Sequence, residues 1–248
     1  MFESIRFEYT KLYNVTISRN AGQWFISYCF EVVEKERVRE NQTGIVGIDL
    51  GVKDMAVLSD GCVYENPHIE QRFRKKVRQC QKALARKKKG SKNWHKAKRK
   101  LQRLYQRIAN VRRDYIHKFT TAVSQKYETV CLEDLNVSGM VRNHKLAKAL
   151  QDVSFYEIRR QFEYKAGEVR YVPPFFASSK TCSHCGHIQE MPLEKRVYRC
   201  ESCGAEINRD LNAAINIVRS ARPKTAVGGK PVDMQALAMG QMTVAKLA

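Results

Sequence analysis

Two pairs of cysteines constrain this chain more than any other feature. Cys182-Ser-His-Cys185 and Cys200-Glu-Ser-Cys203 are each followed by a glycine, Gly186 and Gly204, and 14 residues separate Cys185 from Cys200. A C-x-x-C turn aims two thiolates at one point, and the glycine after it lets the backbone turn so that amides face the sulfurs. Two such knuckles complete a tetrahedral shell, and four ligands at this spacing read as a closed, structural zinc site with no position for a catalytic water. The expected Zn²⁺ ligands are Cys182, Cys185, Cys200 and Cys203, with His184 and His187 as surface histidines between the knuckles. Zinc binding in such modules contributes on the order of 10 kcal/mol, enough to fold a segment with little core of its own. The remaining cysteines, Cys29, Cys62, Cys80 and Cys131, lie singly in segments that read as strand or helix and are expected to be small buried or neutral side chains.

The rest of the chain changes period several times. Strand-like runs around residues 15–18 and 24–33 flank Asn20-Ala21-Gly22, which predicts a β-hairpin. An apolar run over residues 44–50 closes on Asp49, and residues 55–59 and 62–64 with an Asp60-Gly61 turn predict a strand leading into a second hairpin. From about residue 70 to 126 apolar residues recur at three and four, interrupted near Gly90-Ser91, which predicts two antiparallel helices. Further strands are expected over residues 129–132 and 169–172, and helices over 154–166 and 210–220. The tail from Arg222 onward reads as weakly structured.

Charge singles out the helical pair. Between residues 71 and 118 there are 20 Lys or Arg against one acid, Asp114, in a chain whose formal balance is +20. A solvated helix face normally mixes signs to gain i,i+4 pairs, whereas this one has almost nothing to pair with. The reading is a surface for nucleic-acid phosphates, with Lys75, Lys76, Arg78, Arg86, Lys87, Lys88, Lys89, Lys96, Arg99, Lys100 and Arg103 as contacts. No apolar run approaches the roughly 18 residues that cross a bilayer, and the start lacks the pattern of a secretory signal. The expected location is therefore cytoplasmic, on the nucleoid when bound to DNA, with no membrane partner.

Three acids sit where packing does not explain them. Asp49 and Glu133 each end an apolar strand, and Asp210 opens an amphipathic helix, where an acid also has the simpler role of dipole partner. Adjacent parallel strands would bring Asp49 and Glu133 together at their carboxyl ends, with Asp210 as the third. Clustered carboxylates repel unless cations neutralise them, and two Mg²⁺ ions would also activate water for phosphodiester cleavage.

On these residues the sequence resembles the TnpB family of transposon-encoded RNA-guided DNA endonucleases, relatives of the type V CRISPR effectors. The matching stretches are Gly47-Ile48-Asp49-Leu50-Gly51-Val52, Leu132-Glu133-Asp134-Leu135, Ser178-Ser179-Lys180-Thr181 running into the first knuckle, and Asn208-Arg209-Asp210-Leu211-Asn212-Ala213-Ala214. The resemblance implies an α/β fold: a RuvC-like, ribonuclease-H-type domain carrying a basic helical hairpin insertion and an inserted zinc ribbon, preceded by a partial wedge β-barrel. It divides the chain into a wedge segment (1–42), RuvC-like parts I (43–70), II (128–176) and III (207–221), the basic hairpin (71–127), the ribbon (177–206) and a flexible tail (222–248). It places Asp49, Glu133 and Asp210 on the catalytic triad, holding Mg²⁺, and implies a guide RNA from the transposon end and a target DNA as partners.

The same resemblance sets Arg196 near the scissile phosphate, with Arg199 in the same ribbon, and leaves His117 and His144 structural or RNA-facing. Family members usually begin with a helical recognition region and the first wedge strands, so the expectation is a short copy with impaired targeting. They also commonly carry Asp where this chain has Asn208, which implies the loss of an acid beside the triad. The alternative function is a catalytically silent RNA- or DNA-binding remnant or repressor.

Overall fold

The structure, a computed structural model, describes residues 9–32, 44–135, 152–173, 176–192, 194–223 and 243–245. They fall into two compact units, one built from residues 1–40 and 70–111 and the other from residues 41–69 and 112–248.

The first unit contains a two-stranded antiparallel ribbon, β1 (Tyr9–Asn20) and β2 (Gln23–Val32), in which Ile17 faces Ile26 and Asn20 faces Gln23. Its two-residue turn, Ala21-Gly22, has φ of 50° and 81°, the left-handed pair that matches the twist of the flanking strands. Helix α1 (Ile69–Ala85) and the first part of α2 (Lys92–Lys126) complete the unit. Gly90, at φ 85°, turns the chain between them, and the Ser91 hydroxyl accepts a hydrogen bond from the Trp94 amide at 3.1 Å, capping α2. Cys80, Leu104 and Ile108 are buried between the helices, where the Gln81 amide also donates to the Tyr105 hydroxyl at 2.9 Å. Cations fill the outward positions because an apolar stripe occupies only one side of each helix.

The second unit is a seven-stranded sheet. β3 (Ile45–Leu50), β6 (Thr129–Glu133) and β7 (Glu168–Val172) are parallel neighbours, and β4 (Asp54–Leu58) and β5 (Cys62–Glu65) continue the sheet antiparallel from β3, so that these five run in the order β7-β6-β3-β4-β5 with a further strand at each edge. The edge strands β10 (Arg222–Pro223) and β11 (Thr243–Ala245) lie in the stretch that reads as an unstructured tail in sequence. At two and three residues they are too short to carry a periodic pattern, and pairing with β7 and β5 makes them strands.

Strand alternation sorts the side chains to two faces. Val46 and Ile48 of β3 and Val130 and Leu132 of β6 join a core with Ile116, Phe119 and Val123 from the last turns of α2 and Phe155, Ile158 and Phe162 from α3 (Phe155–Lys165). The opposite face takes α4 (Arg209–Ser220): Ile217 packs with Cys131 and Val172, and Leu211 with Val57 and Val63. The sheet is thus covered on both sides by helices, as parallel strands require. Of the isolated cysteines, Cys80 and Cys131 are buried, Cys62 is half-buried, and Cys29 is exposed on the ribbon.

Candidate active site and metal centre

Since Val46 and Ile48 face one side of the sheet, Gly47 and Asp49 must face the other, and the same count puts Cys131 and Glu133 on that side of β6. Ile48 pairs with Leu132 in parallel register, so Asp49 and Glu133 emerge side by side at the carboxyl ends of adjacent strands. α4 can lie close over them because residue 47 has no side chain. A Cβ there would come within 2.1 Å of the Ala214 carbonyl oxygen and 2.8 Å of Val218. One turn before Ala214, in the first turn of α4, stands Asp210.

Electrostatics reports the meeting of the three acids. Burial, then the Glu133 and Asp210 carboxylates, push Asp49 up to about 8 against the opposing pull of the Arg209 guanidinium. The Asp210 carboxylate is 3.6 Å from an Arg196 guanidinium nitrogen, and Glu133 accepts a hydrogen bond from the Ser178 hydroxyl. Such a donor set, oxygen-only and mutually repelling, suits hard divalent cations. Among the described residues, the group whose ligand atoms all lie within 4.8 Å of one another is the four thiols described below, and the three acids are not drawn into such a group.

Asn208 has a structural role at the start of α4. Its side-chain oxygen accepts from the amides of Asp210 at 2.9 Å and Leu211 at 3.2 Å, making it the N-cap of α4. An asparagine performs this task about as well as an aspartate, so the helix start that presents Asp210 is intact.

The cysteine module holds together without a large core. The four sulfurs all lie within 4.8 Å of one another, with Cys182 to Cys203 at 3.8 Å and Cys185 to Cys200 at 3.6 Å. A tetrahedron with metal–sulfur bonds of about 2.3 Å has edges of about 3.8 Å, so the four sulfurs fit one ion. The His184 amide points at the Cys182 sulfur and the Cys203 amide at the Cys200 sulfur. That Cys203 amide is the main cause that lowers the Cys200 thiol to about 6. Cys203 moves the other way, to about 12: the Ala205 amide pulls it down, but burial and the three neighbouring thiols outweigh it. Around the sulfurs, β8 (Val197–Arg199) pairs with β9 (Glu206–Asn208), and Tyr198 is fully buried with its hydroxyl donating to the Lys180 carbonyl at 3.0 Å. His184 and His187 are exposed, as expected of bystanders.

In the first unit, all eleven cations named above as phosphate contacts are exposed. Lys87, Lys96, Arg99, Lys100 and Arg103 line a groove of about 720 Å³. The Arg103 guanidinium also donates to the Ala21 carbonyl at 3.4 Å, which seats the ribbon's turn against α2. Arg199 pairs with Glu206 at 3.0 Å, tying β8 to β9. His117 belongs to a half-buried polar knot: the Lys165 ammonium reaches its ring nitrogen at 3.1 Å together with the hydroxyls of Thr120 and Thr121. His144 lies outside the described residues.

Known proteins resemble the chain along most of its length. The OrfB_IS605 model, described as "Probable transposase", matches residues 27–144, and the Cas12f1-like TNB domain matches residues 155–217. Over 93% of its length the chain is 38% identical to "Putative RNA-guided DNA endonuclease InsQ" of Escherichia coli (strain K12). Over 86% it is 38% identical to a "Putative RNA-guided DNA endonuclease" of Streptomyces pristinaespiralis. Over most of its length the chain is similar to the TnpB type of RNA-guided DNA endonuclease. It spans 63% and 54% of the lengths of those two relatives. A cryo-EM structure of a Cas12f1–sgRNA–target DNA complex shares the fold, with a TM-score of 0.52 and 24% identity over 78% of this chain and 42% of that one.

Sequence reasoning missed Ser178 and Arg209 as neighbours of the acids. Neither has a spacing signal: Ser178 reaches Glu133 across 45 positions, and Arg209 reads in sequence as one more cation of many.

Proposed function

We propose that the chain is a transposon-associated, RNA-guided DNA endonuclease in which Asp49, Glu133 and Asp210 hold Mg²⁺ at the end of the RuvC-like sheet. The observation that carries this reading is the parallel register that sets Asp49 beside Glu133 at the carboxyl ends of β3 and β6, under the helix whose first turn bears Asp210; burial, then those two carboxylates, raise the Asp49 carboxyl. Packing alone gives no reason to gather three acids at one sheet end, and a cation between them removes the repulsion. Divalent ions bound there would supply Lewis-acid stabilisation and an activated water for phosphodiester hydrolysis.

The residues of the chain then divide the work. Glu133 and Asp49 offer oxygens from rigid strand ends, and Asp210 offers one from a capped helix, so the ligand geometry is set before substrate arrives. Arg196, already drawn to Asp210, supplies a positive charge for a phosphate approaching that carboxylate. The cations of α1 and α2 bind nucleic-acid backbone, the transposon-derived guide RNA or its DNA target. Cys182, Cys185, Cys200 and Cys203 take a structural Zn²⁺.

The test is cleavage of a matched DNA by purified protein carrying its copurified RNA, with Mg²⁺. Parent protein should cut, and Asp49→Ala, Glu133→Ala and Asp210→Ala should each lose cutting beyond detection while retaining RNA. If the parent binds RNA and DNA but never cuts them, the silent-binder reading replaces this one.

A further inference from the structure

Ser178 precedes the first knuckle and has no place in the family's three acids or four thiols. It is buried, and its hydroxyl donates to one oxygen of Glu133. A buried serine hydroxyl is most cheaply satisfied by a nearby carbonyl; this one is committed to a carboxylate on a different element.

The segment that carries Ser178 is strapped to α4. The Asn216 amide donates to the carbonyls of Ser178 at 2.9 Å and Thr181 at 2.6 Å. The Asn212 amide donates to the Thr181 carbonyl at 2.7 Å, and its oxygen accepts from the Ser183 amide at 2.8 Å. Both asparagines are essentially inaccessible to solvent. Two buried amides with good partners on one short segment fix it closely, because breaking either would leave polar groups unsatisfied away from water. α4 is also the helix that presents Asp210. Ser178 therefore links Glu133, on β6, to the helix bearing the third acid.

Resting on the endonuclease reading, we infer that Ser178 is the positioning residue for Glu133: its hydroxyl occupies one carboxylate oxygen, fixes the rotamer, and leaves the other oxygen for a divalent cation. A hydroxyl donor to an ionised carboxylate gives a short, strong bond. Outer partners of metal-binding carboxylates are typically worth about 10–100-fold in metal affinity or activity.

The experiment compares Ser178→Ala, Ser178→Thr and Ser178→Val in the full chain with its RNA. The readouts are the Mg²⁺ concentration for half-maximal cleavage, Mn²⁺ binding followed by electron paramagnetic resonance, and Tm. The alanine variant should need about 10–100-fold more Mg²⁺ and bind Mn²⁺ correspondingly weakly, with RNA binding unchanged. The threonine variant, which keeps the hydroxyl, should restore both. If alanine fails to fold, the threonine and valine pair carries the comparison, being alike in volume and differing in the hydroxyl. Equal Mg²⁺ and Mn²⁺ dependence with and without the hydroxyl would overturn the positioning role while Glu133→Gln stays inactive. Wild-type cutting by Glu133→Gln would instead overturn the metal-holding role of Glu133, and a parent protein that never cuts would overturn the endonuclease reading.

Discussion

Asp49 shows what a single residue contributes and what it costs. Its carboxyl titrates near 8 in the folded chain, against 3.8 as an ordinary aspartate. The folded state therefore holds a proton that the unfolded state has lost over roughly pH 4–8. Stability from this group is highest at the acid end of that window and falls as pH rises through it. Asp49→Asn removes the dependence. In EDTA, the Tm of Asp49→Asn should exceed that of the parent by a margin that grows between pH 5 and 8, each kcal/mol recovered being about 2–4 °C in a chain of this size. Adding Mg²⁺ should shrink the margin, since the cation favours the parent's ionised carboxylate. Thermal melts in the two conditions check both halves; a margin independent of pH would mean that Asp49 is not a buried acid among acids.

At the scale of elements, the readable parts are those with strong periodicity or spacing. The helical stripes containing Leu104, Ile108 and Phe119 and the apolar strands ending at Asp49 and Glu133 are plain in sequence, and their parallel pairing follows from the long connection between them. The four thiols are equally plain, because metal geometry dictates their spacing. Contacts that depend on tertiary register are not legible: the Asn208 cap reads as a lost acid, β10 and β11 have no pattern, and Ser178 meets Glu133 only because α4 holds its segment. Gly47 lies between these cases. It stands within a recognisable motif, but the need for a missing Cβ appears only when Ala214 is laid over it. For the cysteine module the expected outcome is selective loss: Cys185→Ser should reduce bound zinc from about one per chain toward none and speed amide exchange across residues 178–208, with the sheet still protected. Exchange mass spectrometry with metal analysis would register it, and uniform destabilisation would show that the module does not fold as its own unit.

Across the whole molecule, chemistry and charge lie in different parts of the chain. The acids belong to one compact unit, whereas the densest cations belong to the other, and α2 runs through both. Binding and cutting should accordingly be separable by mutation. Replacing Lys96, Arg99, Lys100 and Arg103 together by Gln should weaken RNA binding at low salt and reduce the slope of log affinity against log salt by roughly 3, as expected for four lost contacts to a single strand. The acid variants should leave that slope unchanged. Filter binding at several ionic strengths measures it, and an unchanged slope in the fourfold variant would move the phosphate contacts elsewhere.

The order of the parts along the chain has one more consequence. Asp210 follows the last thiol, Cys203, and starts the helix that closes over β3. Because domains assemble from the N-terminus during synthesis, a polypeptide still growing on the ribosome carries two of the acids but lacks the third until the knuckles have been made. A half-synthesised copy therefore lacks the complete set of three acids.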